Sequence, residues 1–248
     1  MPRPGSWLLL VGALVVIAAG CSDSASLTTA AALGPTTPAA TSVTTAPAAT
    51  TTSDPGDACP QSANIPDGAG DSYGIPADLT GDGISETLTT YFVPDTGEWH
   101  FRVLFGLGGS VDQVISGAAP DHDALPLGTF DVESDGTPEI FLQVGSNDSV
   151  AFIGFYDAAG CDITRITGPG EVLSVGTTDD MAQGITCTGD GFIEAQFASR
   201  VGANEWESGF APYKLTGSLL EAFPGDGGGL DDAGAAALVG IFCGDVGL

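Results

Sequence analysis

The stretch Asp78-Leu-Thr-Gly-Asp-Gly-Ile-Ser-Glu86, running into Thr-Leu-Thr-Thr-Tyr-Phe-Val93, has a near copy in Asp131-Val-Glu-Ser-Asp-Gly-Thr-Pro-Glu139 followed by Ile-Phe-Leu-Gln-Val144. Both place acidic residues at positions 1, 5 and 9, put glycine at position 6, and then enter a strand-like run. Hard cations such as Ca²⁺ require several oxygen ligands, and a tight turn with oxygens at alternate positions supplies them from one short segment. The glycine permits the bend. The candidate ligands are Asp78, Thr80, Asp82, the Ile84 carbonyl and Glu86 in the first loop. In the second they are Asp131, Glu133, Asp135, the Thr137 carbonyl and Glu139. A third copy, Thr186-Cys-Thr-Gly-Asp-Gly-Phe-Ile-Glu194, keeps Gly-Asp-Gly and the final glutamate but lacks the first acid.

The final glutamates, Glu86, Glu139 and Glu194, recur at a near-constant interval of just over fifty residues, which signals repeated supersecondary units. After each comes an apolar, β-branched run: Thr87 to Val93, Ile140 to Val144, Ala195 to Ser199. A turn follows, then an aromatic residue twelve or thirteen positions beyond the glutamate: Trp99, Phe152 and Trp206. A second glycine-bearing turn leads to a third strand at Ser110 to Ile115, Cys161 to Ile166 and Ser218 to Phe223. Runs of Val, Ile, Phe, Tyr and Thr bounded by Gly, Asn, Asp and Pro read as strands and hairpins. The expectation is an all-β domain with little helix, made of three antiparallel meanders spanning about 71–118, 119–170 and 180–226. Only Asp231 to Cys243 suits a short helix. The three aromatics are expected to anchor the core.

These loops resemble those of FG-GAP or VCBS-type repeats, the integrin-alpha-like propeller family, in which Asp-x-Asp/Asn-x-Asp-Gly-x-x-Asp/Glu precedes a strand. The match is good for Asp78 to Glu86 and Asp131 to Glu139, and weak for Thr186 to Glu194. The resemblance implies structural Ca²⁺ held by positions 1, 3, 5, 7 and 9, bracing propeller-like blades. A typical propeller has about 4 to 8 blades, whereas three units are legible here, so a compact three-unit domain is expected instead of a closed ring. An EF-hand is excluded, because position 12 is Thr89 or Leu142 where that loop needs a bidentate glutamate. A turn-forming role for the same Asp and Gly residues is the alternative to metal binding.

The chain begins with Arg3, an apolar run from Trp7 to Ala19, and Ala18-Ala19-Gly20-Cys21. The apolar run falls short of the roughly 20 residues a spanning helix needs. Small residues before a cysteine resemble the lipobox of bacterial lipoproteins, so residues 1–20 are expected to be a signal peptide and Cys21 the lipidated residue. The stretch 22–58 is dominated by Thr, Ala, Ser and Pro and has no apolar period. It reads as a disordered tether with a reach of about 30 to 40 Å. The expected location is thus the cell membrane, lipid-anchored, with residues 59–248 forming an extracytoplasmic domain.

The chain carries 32 acidic residues against 5 Lys and Arg, for a net charge of −27. Past the signal segment the only cations are Arg102, Arg165, Arg200 and Lys214. No basic patch exists to neutralise phosphates, which argues against nucleic acid as a partner. An exported chain with Cys59, Cys161, Cys187 and Cys243 left after lipidation is expected to form two disulfides. Three pairings are open. The favoured one joins Cys161 to Cys187, closing a local excursion, and Cys59 to Cys243, tying the ends.

No His-Glu-x-x-His or phosphate loop occurs. His100 lies in an expected strand, and Asp121-His122-Asp123 lies in a Pro- and Gly-flanked loop. The reading is a non-catalytic binding or envelope-structural module, membrane-attached through its lipid, with a protein or glycan ligand. The alternative is an envelope-associated hydrolase using clustered carboxylates or the Asp121-His122-Asp123 loop.

Overall fold

A computed structural model describes residues 59–248. The expected signal peptide, Cys21 and the expected tether lie outside the described residues. Nearly all regular structure is antiparallel β-sheet, as the sequence pattern anticipates. Each acidic loop joins the first and second strands of a four-stranded meander. The first unit comprises β1 (Ser72–Ala77), β2 (Glu86–Val93), β3 (Glu98–Leu104) and β4 (Ser110–Val114), which form a sheet in that order. The second comprises β5 (Leu125–Phe130), β6 (Glu139–Ser146), β7 (Val150–Ala159) and β8 (Asp162–Arg165). Between it and the third unit lies β9 (Val172–Thr177). The third comprises β10 (Met181–Cys187), β11 (Phe192–Gly202), β12 (Glu205–Thr216) and β13 (Leu219–Ala222).

Strand β9 pairs with β7 on one side and β10 on the other, so the second and third units share a single 11-stranded sheet. The expectation of separate meanders holds for the first unit only. Late in the chain, β14 (Gly227–Leu230) pairs with β12, and β15 (Gly240–Phe242) runs parallel to β10. The expected terminal helix is real but short, α1 (Asp232–Ala237), with Asp231 Oδ1 capping Gly234 N–H at 2.8 Å. Its second half is replaced by β15.

Strand β6 explains how the units stack. Apolar residues occupy successive positions instead of alternating, and every residue from Glu139 to Gly145 is buried. A strand apolar on both faces is one covered on both faces. Ile140, Leu142 and Val144 join Leu88, Trp99, Phe101 and Val103 in a core between the first and second units. Phe141 joins Phe155, Ile185, Ile193 and Leu215 in a second core between the second and third. Edge-to-face aromatic pairs lock each core, Phe101 on Tyr156 at 4.8 Å and Phe141 on Phe155 at 5.0 Å. Trp99 and Trp206 are buried as expected, whereas Phe152 packs half-buried against the first core.

The disulfides differ from the favoured pairing. Cys59 bonds to Cys161 and Cys187 to Cys243. The reason is the order of stacking. Cys59 lies beside β4, since Pro60 O accepts the N–H of Ser110 at 3.1 Å and Ser110 O accepts that of Ser62 at 3.1 Å. The turn carrying Cys161, between β7 and β8, packs on the same first core, so the bridge crosses from the first unit to the second. Cys187 ends β10, where the parallel pairing of β15 delivers Cys243. Residues 59–62 also occupy the free edge of β4, which would otherwise offer an unpaired template.

Candidate functional site

The three loops share one backbone shape. Position 4 is left-handed in each, at Gly81 (φ 69°), Ser134 (φ 54°) and Gly189 (φ 72°). Position 6 is left-handed again, at Gly83 (φ 80°), Gly136 (φ 92°) and Gly191 (φ 93°). Among the described residues Ser134 is the only non-glycine with positive φ, a conformation that costs an L-residue about 1–2 kcal/mol. Its hydroxyl donates to Gly189 O at 2.6 Å, so a contact to the third loop compensates the strain.

Carboxylates stitch the first two loops from within. Asp78 accepts the N–H groups of Gly81 at 2.8 Å and Gly83 at 2.9 Å, and Asp82 accepts that of Ile84 at 2.7 Å. Correspondingly, Asp131 accepts from Asp135 at 3.1 Å and Gly136 at 2.8 Å, and Asp135 accepts from Thr137 at 2.8 Å. The position-9 glutamates turn inward. Glu86 accepts the N–H of Leu79, and Glu139 that of Val132, each at 2.7 Å. Leu79 and Val132, at position 2, are themselves core residues. Each glutamate therefore fastens the start of its loop to the strand that follows it.

The third loop keeps the shape with different bonds. Thr188 donates its hydroxyl to Asp190, and its N–H to Phe192 O at 3.1 Å. Position 2 is Cys187, whose disulfide replaces the apolar anchor.

Stacking of the units brings the loops side by side. A Cβ added to Gly81 would lie 2.5 Å from Gly136 O, so the first two loops touch backbone to backbone. Gly191 N–H donates to Val132 O at 2.8 Å, joining the second to the third. Burial pushes Glu133 above the usual carboxylate range, reinforced by Asp135 and partly offset by the N–H of Gly217. Burial likewise raises Asp157 of β7, with Asp135 adding to the effect. Burial raises Glu139 from 4.5 to about 7 against the bond from Val132, with Glu133 and Asp131 contributing. Asp157 was not visible as a site residue in the sequence, because nothing in its strand marks which face meets the loop.

No ion pair among the described residues joins any of these carboxylates to a Lys, Arg or His side chain. The donors are all oxygens, as a hard cation requires, and each carboxylate oxygen keeps a lone pair beyond its N–H bond. Carboxylates alone do not make a cage, since no three His, Cys, Asp or Glu side chains among the described residues are grouped to hold a metal ion. Hydroxyl and carbonyl oxygens would complete the ligand set.

The histidine loop stands apart. His122 Nε2 is 3.9 Å from Asp121 Oδ2 in an exposed pair, while Asp123 accepts from Tyr73 Oη at 2.9 Å and Gln143 Nε2 at 3.3 Å. Two cavities, of about 570 Å³ around Arg200 and Trp206 and about 650 Å³ around Asn147 and Val239, are lined by neither the loop acids nor Asp121, His122 and Asp123. No described helix is long and apolar enough to cross a membrane.

No family model matches the sequence, and no curated protein or solved structure matches it either.

Proposed function

We propose that the protein is a lipid-anchored extracytoplasmic module whose stacked β-units are braced by Ca²⁺ at the loops beginning at Asp78 and Asp131, and which acts as a non-catalytic binding or envelope-structural domain. The observation that carries this reading is the crowding of loop acids, Glu139 among them, without a cationic side chain to offset them. Buried charge is costly unless paired or bound to metal. Divalent cations would relieve that cost, and the oxygen-only donors suit Ca²⁺. The separation of the cavities from the loop acids and from the histidine loop favours a brace over a hydrolytic centre. The partner is expected to be a protein or glycan met outside the cytoplasm, with the chain held to the membrane by acylated Cys21.

Calcium titration of residues 59–248 by calorimetry tests the metal reading. Saturation at about a thousand times Kd stabilises by roughly 4 kcal/mol per site. Chelation should accordingly lower the melting temperature, and Asp135→Ala should remove most of that response. An unchanged melt in both experiments sinks the assignment and leaves the loops as turns. Separately, Cys21→Ser should release the protein from membranes into the soluble fraction; retention at the membrane would refute the anchor.

A further inference from the structure

The outer face of the first unit carries a polar cluster that the loops do not explain. Alternation along β3 sends Trp99, Phe101 and Val103 into the core and leaves Glu98, His100 and Arg102 on the opposite face. Tyr91 of β2 lies directly across from His100, and their rings stack at 5.3 Å. Asp112 of β4 joins them, accepting from Tyr91 Oη at 2.6 Å through one oxygen and facing His100 Nδ1 at 3.0 Å through the other. The Tyr91 hydroxyl donates that bond, and an ionised carboxylate has no proton to give to His100. Asp112 then acts as acceptor on both sides. Nδ1 carries the imidazole proton, and Nε2 is left with its lone pair.

That lone pair is positioned beside a second donor. Glu98 Oε2 lies 4.0 Å from His100 Nε2, and the side chains of His100 and Glu98 are 20% and 48% exposed, so solvent reaches both. Two ligand residues separated by one position on a strand share a face, which is a compact way to present a pair of metal donors. Ligand atoms about 2.1 Å from a tetrahedral ion are about 3.4 Å apart, and rotation of the half-exposed Glu98 closes the difference. A carboxylate behind the second imidazole nitrogen fixes the tautomer and raises ligand basicity. Imidazole with one carboxylate suits Zn²⁺ or Cu²⁺, not Ca²⁺.

We propose that Glu98 and His100 bind one borderline divalent transition ion, Zn²⁺ or Cu²⁺, through the glutamate carboxylate and imidazole Nε2, with water completing the coordination and Asp112 and Tyr91 orienting the imidazole. This site is separate from the acidic loops. Loss of Ca²⁺ binding would leave it standing, and its own failure would leave the loops untouched.

The test is Zn²⁺ titration of the intact chain with Ca²⁺ in excess, read by calorimetry and by the nitrogen resonances of the two histidines. Zn²⁺ should move the His100 Nε2 resonance and leave that of His122 in place. Asp112→Asn should weaken binding by roughly 10- to 100-fold, His100→Asn should abolish it, and Glu98→Gln should weaken it measurably. An unmoved His100 resonance, or equal affinity in the Glu98→Gln and parent proteins, overturns the site. Glu98 is exposed and its variant does not threaten folding. If Asp112→Asn fails to fold, the resonance measurement on the parent protein decides.

Discussion

Replacing Cys187 and Cys243 together by alanine will lower the unfolding free energy by about 2–5 kcal/mol, the usual range for removing a native disulfide. The bridge spans a sequence separation of 56, so much of its effect lies in restricting the unfolded chain. A native-state effect adds to it. Cys243 is fully buried in the second core, where Val246 and Ile241 also pack, and the bridge fixes this segment to the end of β10, with which β15 pairs over three residues. Urea unfolding should show the lowered midpoint, and amide exchange at Ile241 should accelerate in the variant. Equal midpoints for variant and parent would mean that the bridge does not form in solution. Peptide mapping without reduction gives an independent reading, since Cys59 and Cys161 should appear in one linked fragment.

The second large effect concerns Glu139 and its dependence on pH. Its folded value, about 7, lies above the ordinary 4.5, so between these the folded state holds more protons than the unfolded one. Stability then decreases as pH rises. In chelator the contribution is most favourable below about pH 4.5, falls through the interval to 7, and amounts to a loss of up to about 3 kcal/mol above it. Glu139→Gln keeps an oxygen for the Val132 N–H and removes the charge. The variant should be the more stable form at pH 8 in chelator and show no gain at pH 4. Added Ca²⁺ should narrow the difference by stabilising the charged parent. Parallel pH profiles of unfolding in urea check this. Identical slopes for the two proteins would remove Glu139 as the cause, leaving Glu133 and Asp157, which are raised in the same direction.

Much of the architecture was legible because its markers are local. The Asp-Gly loops, the recurring glutamates and the aromatic offsets located the last three strands of every unit. The opening strands were not legible, for a physical reason. Gly74 and Pro76 interrupt β1, Pro126 and Gly128 interrupt β5, and Gly184 interrupts β10, so the alternation that marks a strand is broken. In the structure Gly128 permits a register shift against β6 and Gly184 lies against Leu238 O, which a side chain would strike. The left-handed Ser134 carries no mark in its own residue type; only the glycines at the same position of the other two loops, Gly81 and Gly189, point to that conformation. The disulfide pairing failed because it follows from which units lie face to face. At the candidate site, the two loops that carry the ten ligand candidates share one backbone shape, while the effect of Asp135 on Asp157 and the contact between loops arise only from stacking.

The Cys59–Cys161 bond has a mechanical consequence. Any pull on the described residues from their N-terminal side enters at Cys59, before the first strand of the first unit. A covalent link there passes the load directly to the turn between β7 and β8, in the middle of the stack. The intervening residues of the first unit lie within the closed covalent loop, so tension need not peel β1 from β2 to be transmitted. With that bond intact, drag on the domain is borne by its central unit, and reduction would transfer the load to the hydrogen bonds at the edge of β4.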